Sequence, residues 1–233
     1  MVVQQRQKHS MKVKLVSYSK PAPGFVEEGV DNVQELIAFC ARVSNPSAQI
    51  NTETSEKLIR YLVKHQHWSP LEMVSACLEI ETTRDIAHQI VRHRSFSFQE
   101  FSQRYANPVE DMQFVSREAR LQDTKNRQNS IDLEDNEDAI KLQQGWATKQ
   151  DAVIMAADKA YRWAIDNGIA KEQARVVLPE GLTKTRLYMN GTLRSWVHYI
   201  ELRSANGTQK EHMDIAKECA TVIAEIFPLA NSL

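Results

Sequence analysis

The sequence predicts one domain of mixed α/β class, of the α+β type, and three observations favour this fold. A chain of 233 residues is long enough to bury one substantial core. Segments with the two-residue alternation of strands are interspersed with segments whose apolar residues recur at helical spacing. Neither a regular strand–helix–strand rhythm nor a GxGxxG loop occurs, so the doubly wound parallel sheet of a dinucleotide-binding domain is not expected.

The first predicted elements are a strand and two helices. Residues 11–18 alternate Lys with Val and Leu before a turn that contains Pro and Gly, which is typical of a strand. Apolar residues at helical spacing predict a helix over 32–43, which should stop before Pro46 because the residue before a proline avoids helical geometry. Thr54 is the expected N-cap of the next helix, which continues toward His65.

The same patterns place the remaining elements. Periodicity and turn residues predict a strand at 73–82, a short helix at 84–92, a helix at 146–166 ending near Asn167-Gly168, a helical turn at 172–177, a strand at 183–189, and helices at 192–202 and 209–227. The stretch at about 117–145 is polar, charge-mixed and poor in aromatic residues. It is therefore predicted to be an exposed insertion within the domain rather than a linker between domains.

The composition argues against several classes of protein. The 29 basic and 30 acidic residues give a formal net charge of −1, so general electrostatic binding to DNA or to acidic membranes is not expected. No apolar run approaches the roughly 20 residues that span a bilayer, and residues 1–10, predicted to be frayed, lack a secretory signal. Cys40, Cys77 and Cys219 are widely spaced without a CxxC pair, so neither a disulfide framework nor a metal site is predicted. These features indicate a reducing, cytoplasmic setting.

The most informative segment spans residues 89–105. It contains the consecutive triplet Arg92-His93-Arg94, and Arg104 follows. Guanidinium groups present planar forks of donors that match phosphate oxygens, so the segment predicts an anion-binding site. A solvated basic turn is the plain alternative. It is disfavoured by flanking apolar residues that should pull the segment into the core, namely Ile90, Val91, Phe96, Phe98 and Phe101.

The complete pattern resembles the signature of the flavin-dependent thymidylate synthases, RHRxxSxNExSxRY. The residues that carry the resemblance are Arg92, His93, Arg94, Ser97, Glu100, Ser102, Arg104 and Tyr105, with Gln99 where the family usually has Asn. Further segments are similar to family elements in the same order: ARVS at 41–44, HWSPLE at 67–72 with Met73 in place of a His, QARVVLP at 173–179, and the RSWVH…LR helix at 194–203. The resemblance runs from about residue 11 to residue 227.

The resemblance implies a fold, an assembly and a reaction. The implied fold is a central, mostly antiparallel sheet flanked by helices, in a single domain that assembles as a homotetramer with its sites between subunits. FAD is the implied cofactor, and dUMP, methylenetetrahydrofolate and NADPH are the implied substrates. The folate supplies a methylene group to uracil C5, and FAD reduced by NADPH supplies the hydride that completes the methyl group. No cysteine nucleophile is needed.

The resemblance also implies which residues form the site. Arg203 is the implied catalytic residue, because a fixed guanidinium beside the uracil ring stabilises the negative charge that develops there. The implied dUMP ligands are Gln89, Arg92, Glu100, Ser102, Gln103, Arg104, Arg175 and Arg203. The implied FAD ligands are Ser44, His67, Ser69, Arg92, His93, Arg94, Glu100, Thr192, Arg194 and His198.

Two alternatives remain open at the level of sequence. A nucleic-acid-binding module could use the arginines of the segment with its interleaved phenylalanines, because stacking and positive charge hold single strands. The near-neutral net charge argues against this alternative. A flavin-binding paralogue that has lost turnover through Gln99 or Met73 is the second alternative, because changes in a binding site can abolish the rate.

Overall fold

A four-stranded antiparallel sheet forms the centre of the fold in the computed structural model, which describes residues 12–229. The predicted frayed segment at 1–10 lies outside the described residues. Within them the strands are β1 (Lys12–Tyr18), β2 (Ser75–Thr83), β3 (Ser97–Glu100), β4 (Arg120–Gln122), β5 (Ser130–Asp132) and β6 (Lys184–Thr192). The central sheet has the spatial order β1-β2-β6-β3, and β4 pairs with β5 in a separate hairpin.

Helices accompany these strands throughout the described part of the chain. They are α1 (Pro23–Glu27), α2 (Val33–Ala41), α3 (Ser55–Lys64), α4 (Arg84–Ile90), α5 (Pro108–Asp111), α6 (Glu137–Asp166), α7 (Lys171–Ala174), α8 (Leu193–Ser204) and α9 (Lys210–Ala224). None of these described helices combines the length and the apolar character needed to cross a membrane. The antiparallel sheet flanked by helices confirms the predicted α+β class.

Alternation along the central strands supplies one side of the main core. On β2, Ala76, Leu78 and Ile80 are buried, whereas the residues between them are only partly buried. They join one apolar cluster with residues of α2, α3, α4, α8 and α9. Trp196 of α8 is fully buried in this cluster, and its indole N–H donates to the Ala76 carbonyl at 3.0 Å. Removal of apolar surface from water therefore holds α8 on the sheet without leaving the indole N–H unpaired.

A smaller apolar cluster organises the C-terminal half of α6. Tyr161 and Ala164 of α6 are buried against Val109 of α5, Ala174 of α7 and Leu178. These contacts hold the short helices α5 and α7 on one side of α6. The segments that lead into and out of α5 and α7 consequently keep fixed positions relative to each other.

Helix α6 begins earlier than the sequence analysis predicted. It starts at Glu137 rather than near Trp146. The reason is the Asn136 side chain, which accepts the Ala139 N–H at 2.9 Å and so caps the helix. Acidic residues in the first turn add a favourable interaction with the helix dipole. The stretch predicted as an insertion therefore contains the β4–β5 hairpin and the first turns of α6.

Two smaller predictions about local structure differ from the structure in detail. Thr54 occupies the N-cap position of α3, as predicted, but its side chain makes no capping bond. Its hydroxyl instead accepts from Arg42 Nη2 at 2.8 Å, which links α3 to the end of α2. The helix predicted over 32–43 ends at Ala41. Strand β3 was not predicted, because its four residues are too few to display an alternation and depend on pairing with β6.

Candidate functional site

The cationic triplet at 92–94 lies between two buried parts of the chain, helix α4 before it and Phe96 after it. Ile86 and Ile90 of α4 lie in the core, and the helix ends at Ile90. The next turn is closed by a hydrogen bond from the His93 N–H to the Ile90 carbonyl, 3.1 Å long. Beyond the triplet, the Phe96 ring is buried against Trp196 with ring centroids 4.8 Å apart. The segment therefore has little freedom to move.

Gly191 of β6 makes room for the Phe96 ring. A Cβ placed on Gly191 would lie only 2.4 Å from Phe96 Cδ1. Carbon atoms that are not bonded do not approach so closely, so any larger residue at this position must displace the ring. Because position 191 has no side chain, the Phe96 ring can lie close to β6. This helps to set the distance between the segment at 89–105 and the sheet.

His93 and Arg203 are joined by a hydrogen bond. The Nε–H of Arg203, in the last turn of α8, donates to His93 Nε2 at 2.9 Å. Burial, together with the positive charge of Arg203, lowers the pKa of His93 to about 4. The ring is therefore neutral near pH 7 and carries its proton on Nδ1. Within residues 12–229, the two terminal amines of Arg203 make no further hydrogen bond.

A separate chain of hydrogen-bonded polar side chains links α8, α9 and α4. His212 of α9 is fully buried, with Nε2 3.1 Å from the Tyr199 hydroxyl and Nδ1 3.3 Å from Gln89 Oε1. An amide oxygen can only accept, so the proton of His212 lies on Nδ1, and Nε2 accepts from Tyr199. Gln89 Nε2 in turn donates to Gln209 Oε1 at 2.8 Å.

Burial keeps the aromatic members of this chain uncharged. It lowers the pKa of His212 to about 3, with further contributions from the charge of Arg203 and from His93. Burial also raises the pKa of Tyr199 well above its ordinary value. Both groups are therefore neutral near pH 7 and transmit hydrogen bonds without carrying charge.

The carboxylate of Glu211 ends the chain of polar side chains. Gln209 Nε2 donates to Glu211 Oε2 at 3.0 Å, and Arg120 Nη2 of the hairpin donates to Oε1 at 2.6 Å. Burial acts to raise the pKa of Glu211, but the bonds from its own backbone N–H and from Arg120 outweigh burial, and the pKa is lowered. Glu211 is therefore ionised at neutral pH.

Glu100 lies at the end of β3 beside the motif. Arg84 Nη1 reaches Glu100 Oε1 at 2.5 Å, and the Thr185 hydroxyl donates to the same oxygen at 2.9 Å. Gln103, three residues further along, is buried. These contacts anchor the predicted ligand Glu100 to α4 and β6.

Three of the implied dUMP ligands, Ser102, Arg104 and Arg175, lie in or next to the segment around α7. Arg104 is exposed, and its Nη2 lies 3.4 Å from Glu172 Oε2 on α7. The Ser102 hydroxyl accepts the backbone N–H of Arg104 at 3.3 Å. Arg175 caps the C-terminus of α7, three residues after Glu172. Arg104 is thus held at α7 by Glu172, and Arg175 follows in the same short helix region.

A separate groove collects several of the predicted flavin ligands. Its volume is about 520 Å³, and its lining includes His67, Trp68, Ser69 and Arg194. Arg194 Nη1 pairs with Glu72 Oε1, whereas Arg194 Nε is buried without a hydrogen-bond partner among the described residues. The His198 ring stands edge-on to Trp68, a residue of the lining, with centroids 4.5 Å apart.

The other predicted flavin ligands are not gathered in this groove. Thr192 caps α8 through a hydrogen bond that its hydroxyl accepts from the Ser195 N–H at 3.3 Å. Ser44 lies exposed in the turn after α2. Arg92 and Arg94 are exposed and make no hydrogen bond or ion pair within residues 12–229.

The two residues that depart from the family signature lie at the surface. Gln99, on β3, is exposed, and Met73 has 56% of its surface exposed. Neither residue fills a core position whose packing the change would disturb.

Sequence reasoning missed the polar chain behind the motif. Its unpredicted members are Tyr199, Gln209, Glu211, His212 and Arg120. One signal was present, because His212 falls three residues before Ile215 on the apolar stripe of α9. A polar residue on a buried stripe needs a partner, which periodicity alone does not identify.

A larger cavity of about 790 Å³ lies between the hairpin, α6 and α9. Arg120, Asp132, Lys210 and Glu211 are among the side chains that line it, and none of the predicted site residues does. Among residues 12–229 no group of three or more His, Cys, Asp or Glu is placed to hold a metal ion.

Comparisons with known proteins agree with the motif. The family described as thymidylate synthase complementing protein matches residues 26–229. A probable flavin-dependent thymidylate synthase of Paramecium bursaria Chlorella virus 1 is 49% identical over 218 residues, which cover 94% of this chain and 96% of the relative. The flavin-dependent thymidylate synthase of a Synechocystis species is 46% identical over 220 residues, with the same shares of 94% and 96%.

A solved structure shares the fold. The UMP/dUMP methylase of Streptomyces cacaoi bound with 5-Br dUMP superposes with a TM-score of 0.79 and 24% identity, over 98% of this chain and 96% of that chain. At this identity the likeness concerns the arrangement of the elements.

The fold and the site together define a class. This is an α+β protein in which a neutral histidine holds a guanidinium in place, and in which an exposed arginine of the signature lies next to α7. The chain belongs to the family of flavin-dependent thymidylate synthases, and it is therefore an enzyme.

Proposed function

We propose that this chain methylates dUMP to dTMP, with methylenetetrahydrofolate as the carbon donor and NADPH as the source of reducing power. Family membership supports the reaction, and the complete RHR…SxxExSxR pattern supports its retention in this chain. FAD is the proposed cofactor; when bound and reduced by NADPH, it would supply the hydride that completes the methyl group.

The observation that carries the proposal is the bond between Arg203 and His93. Because the neutral His93 ring holds the Nε–H, both terminal amines of Arg203 remain available for an acceptor. A guanidinium held in this way can stabilise negative charge on the uracil ring without first reorganising, which makes C5 a better nucleophile. Loss of one such preorganised donor costs about 10²–10³ in rate in other enzymes.

The nucleotide phosphate is assigned to the surface beside α7. Ser102, Arg104 and Arg175 are proposed to bind it, and Arg104 would then exchange its Glu172 partner for phosphate oxygens. The resemblance also assigns Gln89, Arg92, Glu100 and Gln103 to dUMP. Gln89 is held in the polar chain with one amide hydrogen and one lone pair left unused.

The residues of the groove suit the proposed flavin. The buried Arg194 Nε has no partner among the described residues and would be satisfied by a ligand oxygen. His67, Ser69 and His198 offer further polar contacts, and Trp68 offers an aromatic wall. Ser44, Arg92, His93, Arg94, Glu100 and Thr192 are assigned to the flavin on the resemblance alone.

We further propose that the enzyme is a homotetramer whose sites combine residues of different subunits. Trp146 and Val153 of α6 are exposed apolar residues seven positions apart, so they lie on one face of the helix and support self-association. Arg194 and Arg203 point to opposite sides of α8. The proposed flavin ligand and the proposed dUMP ligand of one chain therefore face different regions, which supports sites that combine residues of different subunits.

The chemistry proposed here does not use a thiol. Burial raises the pKa of Cys40, Cys77 and Cys219, so these side chains are not poised as thiolate nucleophiles. All three are free, which suits the predicted reducing, cytoplasmic setting.

An absorbance spectrum followed by an assay for dTMP tests the proposal. The purified protein should be yellow, or become yellow with FAD, and should form dTMP from dUMP, methylenetetrahydrofolate and NADPH. Arg203→Ala should lower dTMP formation by about 10²–10³-fold. Arg162→Ala, at an exposed arginine on α6, is the matched control and should remain active.

The other results have distinct meanings. A colourless protein that FAD cannot load, and that binds single-stranded oligonucleotides with steep salt dependence, would favour the nucleic-acid-binding alternative. A yellow protein without turnover would favour the inactive paralogue, and Gln99→Asn and Met73→His would be the first reversions.

A further inference from the structure

We propose that Arg120 is a positioning residue, which fixes the orientation of the Gln89 carboxamide through Glu211 and Gln209. The inference rests on the proposed function, in which Gln89 contacts dUMP. It gives the hairpin of β4 and β5, which lies outside every motif, a part in recognition of the nucleotide.

The contacts form one continuous path from the hairpin to α4. Arg120 Nη2 donates to Glu211 Oε1 at 2.6 Å, and Glu211 Oε2 accepts from Gln209 Nε2 at 3.0 Å. Gln209 Oε1 then accepts from Gln89 Nε2 at 2.8 Å. The two amide links fall within the ordinary range, and the Arg120–Glu211 link is short, as expected for a charge-assisted bond.

The negative charge of Glu211 determines which group donates and which accepts at each hydrogen bond of this path. An ionised carboxylate can only accept, so Gln209 must turn its NH₂ group toward Glu211 and its oxygen toward Gln89. Gln89 must then offer its own NH₂ group to Gln209. The amide orientation at Gln89 is therefore decided by a charge two residues away along the path.

The hydrogen bond between Gln89 and His212 is consistent with the same assignment of donors and acceptors. With its NH₂ group turned to Gln209, Gln89 turns its oxygen toward His212 Nδ1. His212 donates from Nδ1 and accepts at Nε2 from the Tyr199 hydroxyl. Reversal of the amide would set two donors against each other at His212 and two acceptors against each other at Gln209.

Arg120 maintains the charge that determines this assignment of donors and acceptors. Glu211 is 6% exposed, and a buried carboxylate without a cationic partner tends to take up a proton or draw in water. A protonated Glu211 can donate as well as accept, so both orientations of Gln209 become possible. Gln89 would then present its free hydrogen and its free lone pair in exchanged positions to the nucleotide.

The hairpin has a second link to α9 that provides a control. Lys210 Nζ pairs with Asp132 of β5 at 2.8 Å, and both side chains are well exposed. This pair joins the same two elements as Arg120 and Glu211 do. Lys210 lies between Gln209 and Glu211 in the chain, but among the described residues its side-chain bonds reach only Asp132 and do not include Gln209. Loss of the Lys210 pair tests attachment of the hairpin without disturbing the amide path.

The decisive experiment measures dUMP binding and turnover in FAD-loaded Arg120→Met and Lys210→Met enzymes. Titration calorimetry should give a dUMP Kd about tenfold higher for Arg120→Met, with a similar rise in KM and kcat within about threefold. Lys210→Met should leave both constants within about twofold, since an exposed pair contributes little. Glu211→Gln, which keeps the shape and removes the charge, should reproduce the effect of Arg120→Met.

A double-mutant cycle separates action through Gln89 from general loosening. If Arg120 acts through Gln89, Arg120→Met should have almost no additional effect on the dUMP Kd in a Gln89→Ala background. Full additivity, or unchanged Kd values in both Arg120→Met and Glu211→Gln, would overturn the inference. Failure of the wild-type enzyme to form dTMP would instead overturn the proposed function, so the two failures are distinct.

Discussion

The two faces of helix α8 lie in different surroundings. On one face Arg194 lines an open groove and His198 contacts its wall residue Trp68, whereas on the other face Tyr199 bonds to His212 and Arg203 bonds to His93. Nine positions separate Arg194 from Arg203, which corresponds to about 13 Å along the axis and about 180° around it. One helix therefore serves two distinct regions of the molecule.

The two faces differ in how completely partners within the described residues hold their side chains. On the Arg203 face, protein partners already hold the side chains through His93, His212 and Gln89. On the Arg194 face, a buried donor has no partner among the described residues. The side chains of the first face are thus already held by protein partners, whereas the second face keeps one buried donor open.

The largest effect is expected from a substitution that breaks the support of the first face. Gly191→Ala places a methyl group where the Phe96 ring now lies, and such overpacking costs about 1–3 kcal/mol of unfolding free energy. Urea unfolding measures this change. Gly145→Ala is the control, because Gly145 lies in α6 with open space around it and should gain about 0.5–1 kcal/mol. Equal stability of both variants would show that the ring does not fix the motif.

A second prediction sharpens the comparison through pH. The pKa of His212 falls from 6.5 to about 3 on folding, so between these values the unfolded chain binds one more proton than the folded chain. Stability should therefore fall as the pH drops below 6.5, by about 1.4 kcal/mol per pH unit from this group, and be unaffected by it at higher pH.

Substitution of His212 tests that slope. His212→Gln should flatten the dependence of unfolding free energy on pH between about pH 6 and pH 4 by roughly one proton. His65→Gln is the control, since His65 is exposed at the end of α3 and stays in solvent on folding. An unchanged slope in His212→Gln would mean that the buried ring takes up its proton without unfolding.

The smallest effect concerns the open face. Arg194→Met should raise the Kd for FAD about tenfold, as expected for loss of one charge-assisted contact, and should leave the dUMP Kd within about twofold. Titration followed by flavin fluorescence measures the first constant and calorimetry the second. Arg60→Met, at an exposed arginine of α3, is the control. Equal weakening of FAD and dUMP would mean that the two faces do not serve separate ligands.

The sequence predicted the main elements of the fold more completely than their boundaries and the short strand β3. Long periodic segments such as 209–227 were predicted because burial on one side of a helix leaves a repeating apolar stripe. The start of α6 was missed although Asn136 and the acids after it are a recognisable cap. Strand β3 could not be predicted, since it depends on a partner strand far away in the chain.

Residues of the candidate site could be predicted only where they belong to a segment that resembles the family. Arg203 and His93 stand 110 positions apart, and only the resemblance paired them with one site before the structure showed their bond. The path from Arg120 to Gln89 has no local signature, because its members come from the hairpin, α4 and the start of α9. Long-range hydrogen bonds between single side chains leave no periodic trace in a sequence.

The raised pKa values of the three cysteines have a practical consequence. Alkylating reagents react with thiolates, which are scarce in Cys40, Cys77 and Cys219 at neutral pH. Iodoacetamide should therefore leave this enzyme active under conditions that silence any enzyme whose nucleophile is a cysteine. In a mixed extract, treatment with that reagent would isolate the flavin-dependent route to dTMP from a cysteine-dependent one.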